Sequence, residues 1–294
     1  MSVARARANG AISVVNAIIT GHAGASLAVG LHTEARVTLL EDVPEVEVVM
    51  DVEGEDPTLA RLVLKAIVSR LGEPEWGGRV ETRSTIPAAR GLKSSSAAAN
   101  AVALATNRAF ELYEGRALPR AELVDAAVEA ALDAGVTITG AFDDASASMQ
   151  GGLCVTDNTQ RVLLHRQEID ETLRVVLVVP VERTPTLSVK GLPYAPFAPL
   201  ALHAHALARQ GHWERALILN GAIAGALYGT PSAWTRAALS AGARCAGVSG
   251  KGPAFAAVCS EADQKAVESA LRDAAPGARI LVTQPTNARA EVLP

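Results

Sequence analysis

Aromatic residues are scarce in this chain: they make up 3% of its 294 residues. A core must therefore be built largely from alanine, valine and leucine, and little stacking surface is left for single-stranded nucleic acid. No stretch of 18 or more apolar residues runs without a charge, which argues against a membrane span. The N-terminus, Met1-Ser-Val-Ala-Arg-Ala-Arg-Ala-Asn9, has no long apolar segment of the signal-peptide kind. There is no block of basic residues; the net charge is −4. Nucleic acid and anionic membrane are thus poor candidates for partners. The cysteines are only three, Cys154, Cys245 and Cys259, far apart and among small apolar neighbours. They read as buried free thiols of a reducing compartment, and the expected location is cytoplasmic. No Gly-x4-Gly-Lys-Ser/Thr motif occurs, so any phosphate loop here is not a P-loop.

A different loop is present. Pro87-Ala88-Ala89-Arg90 close an extended entry, Gly91-Leu92-Lys93-Ser94-Ser95-Ser96 form a short Gly/Ser loop, and from Ala97 strong helix formers run to about Phe110. First-turn N–H groups have no intrahelical partner and the helix dipole is positive there, so the start of such a helix suits an anion. Gly91 allows close backbone approach. The serines add donors and can ligate a Mg2+ that travels with a nucleotide. Lys93 adds positive charge. One serine would suffice as an ordinary N-cap; three serines and a lysine exceed that need.

Two more stretches carry chemistry. Asp143-Asp144 is a pair of adjacent carboxylates among small residues, and Asp144 stands seven residues before Gly151-Gly152. Such a carboxylate near a phosphate site can accept a proton from a hydroxyl or hold a metal, although adjacent aspartates are more often a solvated surface or a cap. Gly247-Val-Ser249-Gly250-Lys251-Gly252-Pro253 is a tight Gly-rich connection between two strands, with good turn chemistry of its own. His203-x-His205 lacks a third metal partner in sequence. Ser232 and Ser249 have no His/Asp arrangement nearby.

Pro87-x3-Gly-Leu-x-Ser-Ser-Ser-Ala97 resembles the nucleotide loop of the GHMP kinases, the group of galactokinase, homoserine kinase and mevalonate kinase. Gly-Leu-Lys-Ser-Ser-Ser at 91–96 and Thr139-Gly140-Ala-Phe-Asp-Asp-Ala145 are similar to the archaeal-type shikimate kinases of that superfamily, as is the segment 6–18. The resemblance implies an α+β fold of two domains: an N-terminal S5-like α/β domain with a left-handed β-α-β unit, and a C-terminal ferredoxin-like antiparallel α/β domain. The division is expected at 157/158. It implies an ATP-dependent kinase, with Mg2+, acting on the 3-hydroxyl of shikimate. Residues 87–97 would bind nucleotide. Asp144, helped by Asp143, would be catalytic. Asn16, Thr139, Gly140, Ser249, Gly250, Lys251 and Gly252 would bind substrate, and Ser95 with Asp133 the metal. Where the superfamily often has a lysine near the N-terminus, this chain has none before Lys65. Arg5, Arg7, Arg90, Arg183 and Lys251 are the cations near the motifs. Alternative readings are a GHMP kinase for homoserine or a cyclitol, a lyase like diphosphomevalonate decarboxylase, and a non-catalytic binding protein. The expected assembly is a monomer or homodimer.

Along the chain, strands are expected at 1–8, 27–40, 45–52, 79–86, 153–165 (a hairpin), 173–180, 244–249, 254–259 and 278–284, with a turn at Asn9-Gly10. Helices are expected at 57–71, 97–112, 119–133, 199–209, 213–228, 232–241 and 261–275, with a short one within 137–152. The prolines at 185, 193, 196 and 199 mark a connector suited to movement.

Overall fold

A computed structural model describes residues 1–51, 56–182, 189 and 191–294. The first half holds β1 (Ser2–Val15), α1 (Ala17–Thr20), β2 (Ala23–Leu40), β3 (Val46–Met50), α2 (Thr58–Arg70), β4 (Gly77–Ser84), α3 (Ser94–Glu114), α4 (Arg120–Asp133), α5 (Phe142–Gln150), β5 (Leu153–Asp157) and β6 (Val162–Gln167). The second half holds β7 (Arg174–Val179), α6 (Ala198–Arg209), α7 (Trp213–Tyr228), α8 (Ser232–Ser240), β8 (Cys245–Val248), β9 (Phe255–Cys259), α9 (Gln264–Ala274), β10 (Arg279–Thr283) and β11 (Glu291–Leu293).

Two sheets result. The first has the order β11-β1-β2-β4-β3, with β5 and β6 branching from β2. β2 is its spine. Its first residues, 23–27, pair with β5, and its last, 33–40, pair with β4. β3 and β4 run parallel with α2 between them in sequence. The second sheet is antiparallel with the order β10-β7-β9-β8. Its β-α-β-β-α-β sequence with the first strand inside and the last at the edge is the ferredoxin-like pattern. The expected division at 157/158 falls in the β5–β6 turn, inside the first sheet; the change of sheet lies between Gln167 and Arg174. β11 then returns to pair with β1.

Side-chain alternation explains the layers. β7 is apolar at every position from Val175 to Val179 because both its faces are covered. Val175, Leu177 and Val179 face the core shared with β1, β2, α6 and α7, while Val176 and Val178 face α8 and α9. On the far side of the first sheet, α2, α3, α4 and α5 close another core. The centre of that core is α3. Ala99, Ala101, Ala103, Ala105 and Ala109 are all buried, and their small side chains let the helix lie close to β1 and β2.

Two local expectations fail. Asn9-Gly10 does not turn. It is a register shift inside one long β1, where a Cβ on Gly10 would press on Ile86 and the Leu31 carbonyl, and where Asn9 donates to the Ala288 carbonyl. Helix α3 starts at Ser94, three residues before Ala97, so the serines belong to its first turn. Of the proline-marked connector, Pro185 lies outside the described residues, and Pro199 is in the first turn of α6. No described helix is long and apolar enough to cross a membrane. All three cysteines are buried and free.

The packing of α3 predicts that Ala103→Leu overfills the core and destabilises the fold by about 1–3 kcal/mol. Urea denaturation would measure it.

Candidate active site

Two helix N-termini meet at one cavity of about 430 Å³. Helix α3 begins after Lys93, which is in the left-handed region with φ 64°. Helix α5 begins after Ala141, also left-handed with φ 50°. The positive dipole ends at both starts favour negative charge between them. Asp143 and Asp144 occupy the first turn of α5.

Lys93 reaches across from the start of α3, and its Nζ lies 3.0 Å from Asp144 Oδ2. Each side chain is only 11% exposed, so this is a buried pair. Breaking one half of such a pair leaves an uncompensated charge. The Asp144 Oδ1 atom accepts a 2.5 Å bond from the Ser26 hydroxyl on β2. Asp143 is more deeply buried. Its Oδ1 accepts from Asn158 Nδ2 at 2.8 Å, and its Oδ2 lies 3.2 Å from Ser26 Oγ. Burial, then the charge of Asp144, push the Asp143 carboxyl up to about 7 against the pull of Lys93, Asn158 and Ser26. Lys251 also lines the cavity; burial and the nearby Lys93 bring its ammonium down to about 8, against the pull of Asp144.

The phosphate-loop stretch divides by role. Ala88, Ala89, Gly91, Lys93, Ser94, Ser95 and Ser96 line the cavity. Leu92 and Ala97 are buried in the core between the sheets and anchor the loop. Pro87 is half-buried outside the lining residues, and Arg90 turns away, donating to the Val181 carbonyl. Gly91 has φ 87° and no space for a side chain, since a Cβ there would sit 2.3 Å from the Ser249 carbonyl oxygen. The loop is sewn to its surroundings: Ala254 N–H donates to the Arg90 carbonyl and Ala11 N–H to the Leu92 carbonyl.

Several expected substrate contacts serve the scaffold. Ser249 is fully buried; its hydroxyl donates to the Gly91 carbonyl at 2.7 Å and accepts from Ser13 N–H at 3.1 Å. Asn16 caps α1 by accepting from Ile18 N–H, and its amide donates to the Gly250 carbonyl at 2.8 Å. It reaches the cavity wall but its polar atoms are committed. Gly140 and Gly252 are buried turn residues outside the lining, whereas Thr139, Gly250 and Lys251 belong to it.

The metal expectation is corrected in part. Asp133 is the exposed last residue of α4 and does not line the cavity. Ser95 does. No group of three His, Cys, Asp or Glu able to hold a metal exists among the described residues. The Ser95 hydroxyl is an oxygen donor of the kind that fits Mg2+, an ion that keeps waters and leans on substrate phosphates more than on a protein cage.

The cation expectation changes too. Arg5 pairs with Glu34 at 3.2 Å and Arg7 with Glu291, both half-exposed and away from the cavity. Arg183 lies outside the described residues. Among the described residues, the cations that line the cavity are Lys93 and Lys251. His205 is buried, with Nε2 3.1 Å from the Thr156 carbonyl. Sequence reasoning passed over Ser26 and Asn158. Ser26 sits in a small-residue run and Asn158 in a turn, and nothing local marks either.

The chain matches the family model "GHMP kinases N terminal domain" over residues 58–152. It is 43% identical over 261 residues to a shikimate kinase of Pyrococcus abyssi, covering 88% of this chain and 92% of that protein. The chain belongs to the GHMP kinases. A second such kinase, the shikimate kinase of Pyrococcus furiosus, is 42% identical over 259 residues, covering 88% and 92%. In fold, this GHMP kinase is similar to a crystal structure of homoserine kinase from Cytophaga hutchinsonii, with TM-score 0.79 and 18% identity over 100% of this chain and 98% of that one.

The double role of Ser249 predicts that Ser249→Ala destabilises the protein by about 2 kcal/mol, because it strands buried backbone groups. Equilibrium urea unfolding checks this. Unchanged stability with a raised substrate KM would return Ser249 to the substrate-binding set.

Proposed function

We propose that this protein phosphorylates shikimate, transferring the γ-phosphoryl group of ATP to the 3-hydroxyl. One observation carries the reading: identity to the Pyrococcus abyssi shikimate kinase runs through 88% of the chain. The site supports it in chemical terms. Its volume suits small ligands. One end combines apolar Met50, Leu59, Ala60, Val136 and Ile138 with the carboxylates Asp51 and Asp56, and suits a nucleoside. The N-terminus of α3 suits a triphosphate. The other end holds Asn16, Ile18, Gly250 and Lys251 around the Asp143–Asp144 pair, and suits a small anionic alcohol.

Phosphoryl transfer asks mainly for positioning and charge stabilisation. In this reading the first turn of α3 and Lys93 hold the phosphates. Lys93, paired with Asp144, neutralises charge at the point of transfer. Asp144 orients the acceptor hydroxyl and takes its proton late, as the P–O bond forms. Lys251 meets the carboxylate of the acceptor. Ser95 and the phosphates would hold Mg2+, which would supply neutralisation of the phosphate charge.

Two measurements test this. With ATP, ADP release assayed side by side should show a kcat/KM for shikimate at least ~100-fold above that for homoserine or mevalonate, since a site built for a ligand's polar groups rejects analogues that leave them unpaired. A preference for homoserine would move the assignment to another alcohol kinase of the same family. Asp144→Asn should lower kcat by ~100-fold or more with ATP affinity near wild type. Normal kcat in that variant would remove Asp144 from the chemistry.

A further inference from the structure

With the negative charge held on Asp144 by its pair with Lys93, the hydrogen bonds around Ser26 can be satisfied in only one way. Its Oγ lies 2.5 Å from Asp144 Oδ1 and 3.2 Å from Asp143 Oδ2. A serine hydroxyl carries a single hydrogen, so it can donate to one of these oxygens. The short contact has the length of an O–H bond to an ionised oxygen, which assigns that hydrogen to Asp144. Ser26 Oγ then faces Asp143 Oδ2 with lone pairs alone, and the contact needs a hydrogen from the aspartate. Asp143 Oδ1 is taken, because it accepts from Asn158 Nδ2. The orientation of that amide is fixed from its other end: Asn158 Oδ1 accepts from Thr156 Oγ1 at 2.7 Å and from Asp143 N–H at 3.2 Å. Only Oδ2 is left to bear a proton.

We propose that Asp143 is a neutral carboxylic acid in the resting enzyme, donating from Oδ2 to Ser26, which in turn donates to Asp144 Oδ1. Asp143 is then a positioning residue. It builds a directed chain, Asp143–Ser26–Asp144, that keeps the negative charge on Asp144 and leaves Oδ2 of Asp144, beside Lys93, to face the acceptor. The role in phosphorylation rests on the reading of Asp144 given above; the protonation of Asp143 does not.

The surroundings agree. Asp143 is faced by the Asp144 carboxylate on its own helix, Lys93 from the loop, the buried Cys154 thiol on β5, and the neutral Ser26 and Asn158. Lys251 stands beyond, next to Lys93 and Asp144. Two adjacent buried carboxylates with one lysine between them are better satisfied by a single negative charge. Loss of the Asp143 proton would remove the donor to Ser26 and place a second anion beside the incoming phosphates. Activity should therefore fall as pH rises through about 7. The fold follows the same sign. The folded chain keeps a proton that the unfolded chain releases above pH 3.8, so raising the pH from there to about 7 favours unfolding.

The test is infrared difference spectroscopy on the unliganded protein with 13C-labelled aspartate, titrated across neutrality. The expected result is a protonated-carboxyl C=O band that disappears as pH rises and is missing in Asp143→Asn. Absence of that band in wild-type protein on the acid side of neutrality overturns the proposal, whichever alcohol the enzyme phosphorylates. In kinetics, Asp143→Asn can donate to Ser26 and accept from Asn158 as the neutral acid does, so kcat should stay within about tenfold of wild type. The alkaline fall in kcat/KM should shift from about 7 towards the value of about 8 held by Lys251. Ser26→Ala breaks the chain and should lower kcat by about tenfold or more. An Asp143→Asn variant as inactive as Asp144→Asn, or one that keeps the alkaline limb of wild type, would contradict a neutral Asp143.

Discussion

The buried ion pair between Lys93 and Asp144 is the constraint on which the site depends. It joins the residue before α3 to the first turn of α5 at 3.0 Å. Two helix N-termini aimed at the same space would otherwise make a site for anions alone. The pair adds a carboxylate to that field without leaving it uncompensated. The result suits phosphate oxygens and a proton acceptor side by side, as the proposed phosphorylation of an alcohol requires. The lysine comes from the phosphate loop itself, in a chain with no lysine before residue 65.

The rest of the architecture holds these two helix starts still. α3 is fixed by its alanine-lined packing on β1 and β2. The loop before it is tied to the second sheet through Ser249 and Ala254, and to β1 through Ala11. α5 is fixed by Ser26 from β2 and by Asn158 after β5, the two strands that the long β2 brings together. The cavity thus sits where loop 249–252 of the second sheet meets the helices of the first. Neither half alone supplies all its walls.

Much of this was legible in the sequence because it is local. The Gly-Leu-Lys-Ser-Ser-Ser loop, the paired aspartates before a double glycine, and the two-face apolar run of β7 each declare themselves within a dozen residues. The α+β class and the ferredoxin-like half were implied by the family resemblance that these motifs carry. What stayed hidden is long-range. Ser26 meets Asp144 across 118 positions and Ser249 meets Gly91 across 158; no periodicity encodes such contacts. Asn9-Gly10 carries turn chemistry, yet pairing with β2 on both sides keeps β1 continuous through it as a bulge. Asp133 was implied at the metal by the resemblance, but it is exposed at the end of α4. Lys251, by contrast, was expected at the substrate from its Gly-rich turn motif, and it lines the cavity.

The most direct measurement is a crystal structure of the ternary complex with shikimate and a non-hydrolysable ATP analogue. The account predicts the terminal phosphate against the first turn of α3 and the 3-hydroxyl about 3 Å from the Asp144 carboxylate, the distance at which a proton can be taken. An acceptor hydroxyl on the opposite side of the phosphates from Asp144, or a nucleotide bound away from residues 91–96, would contradict it.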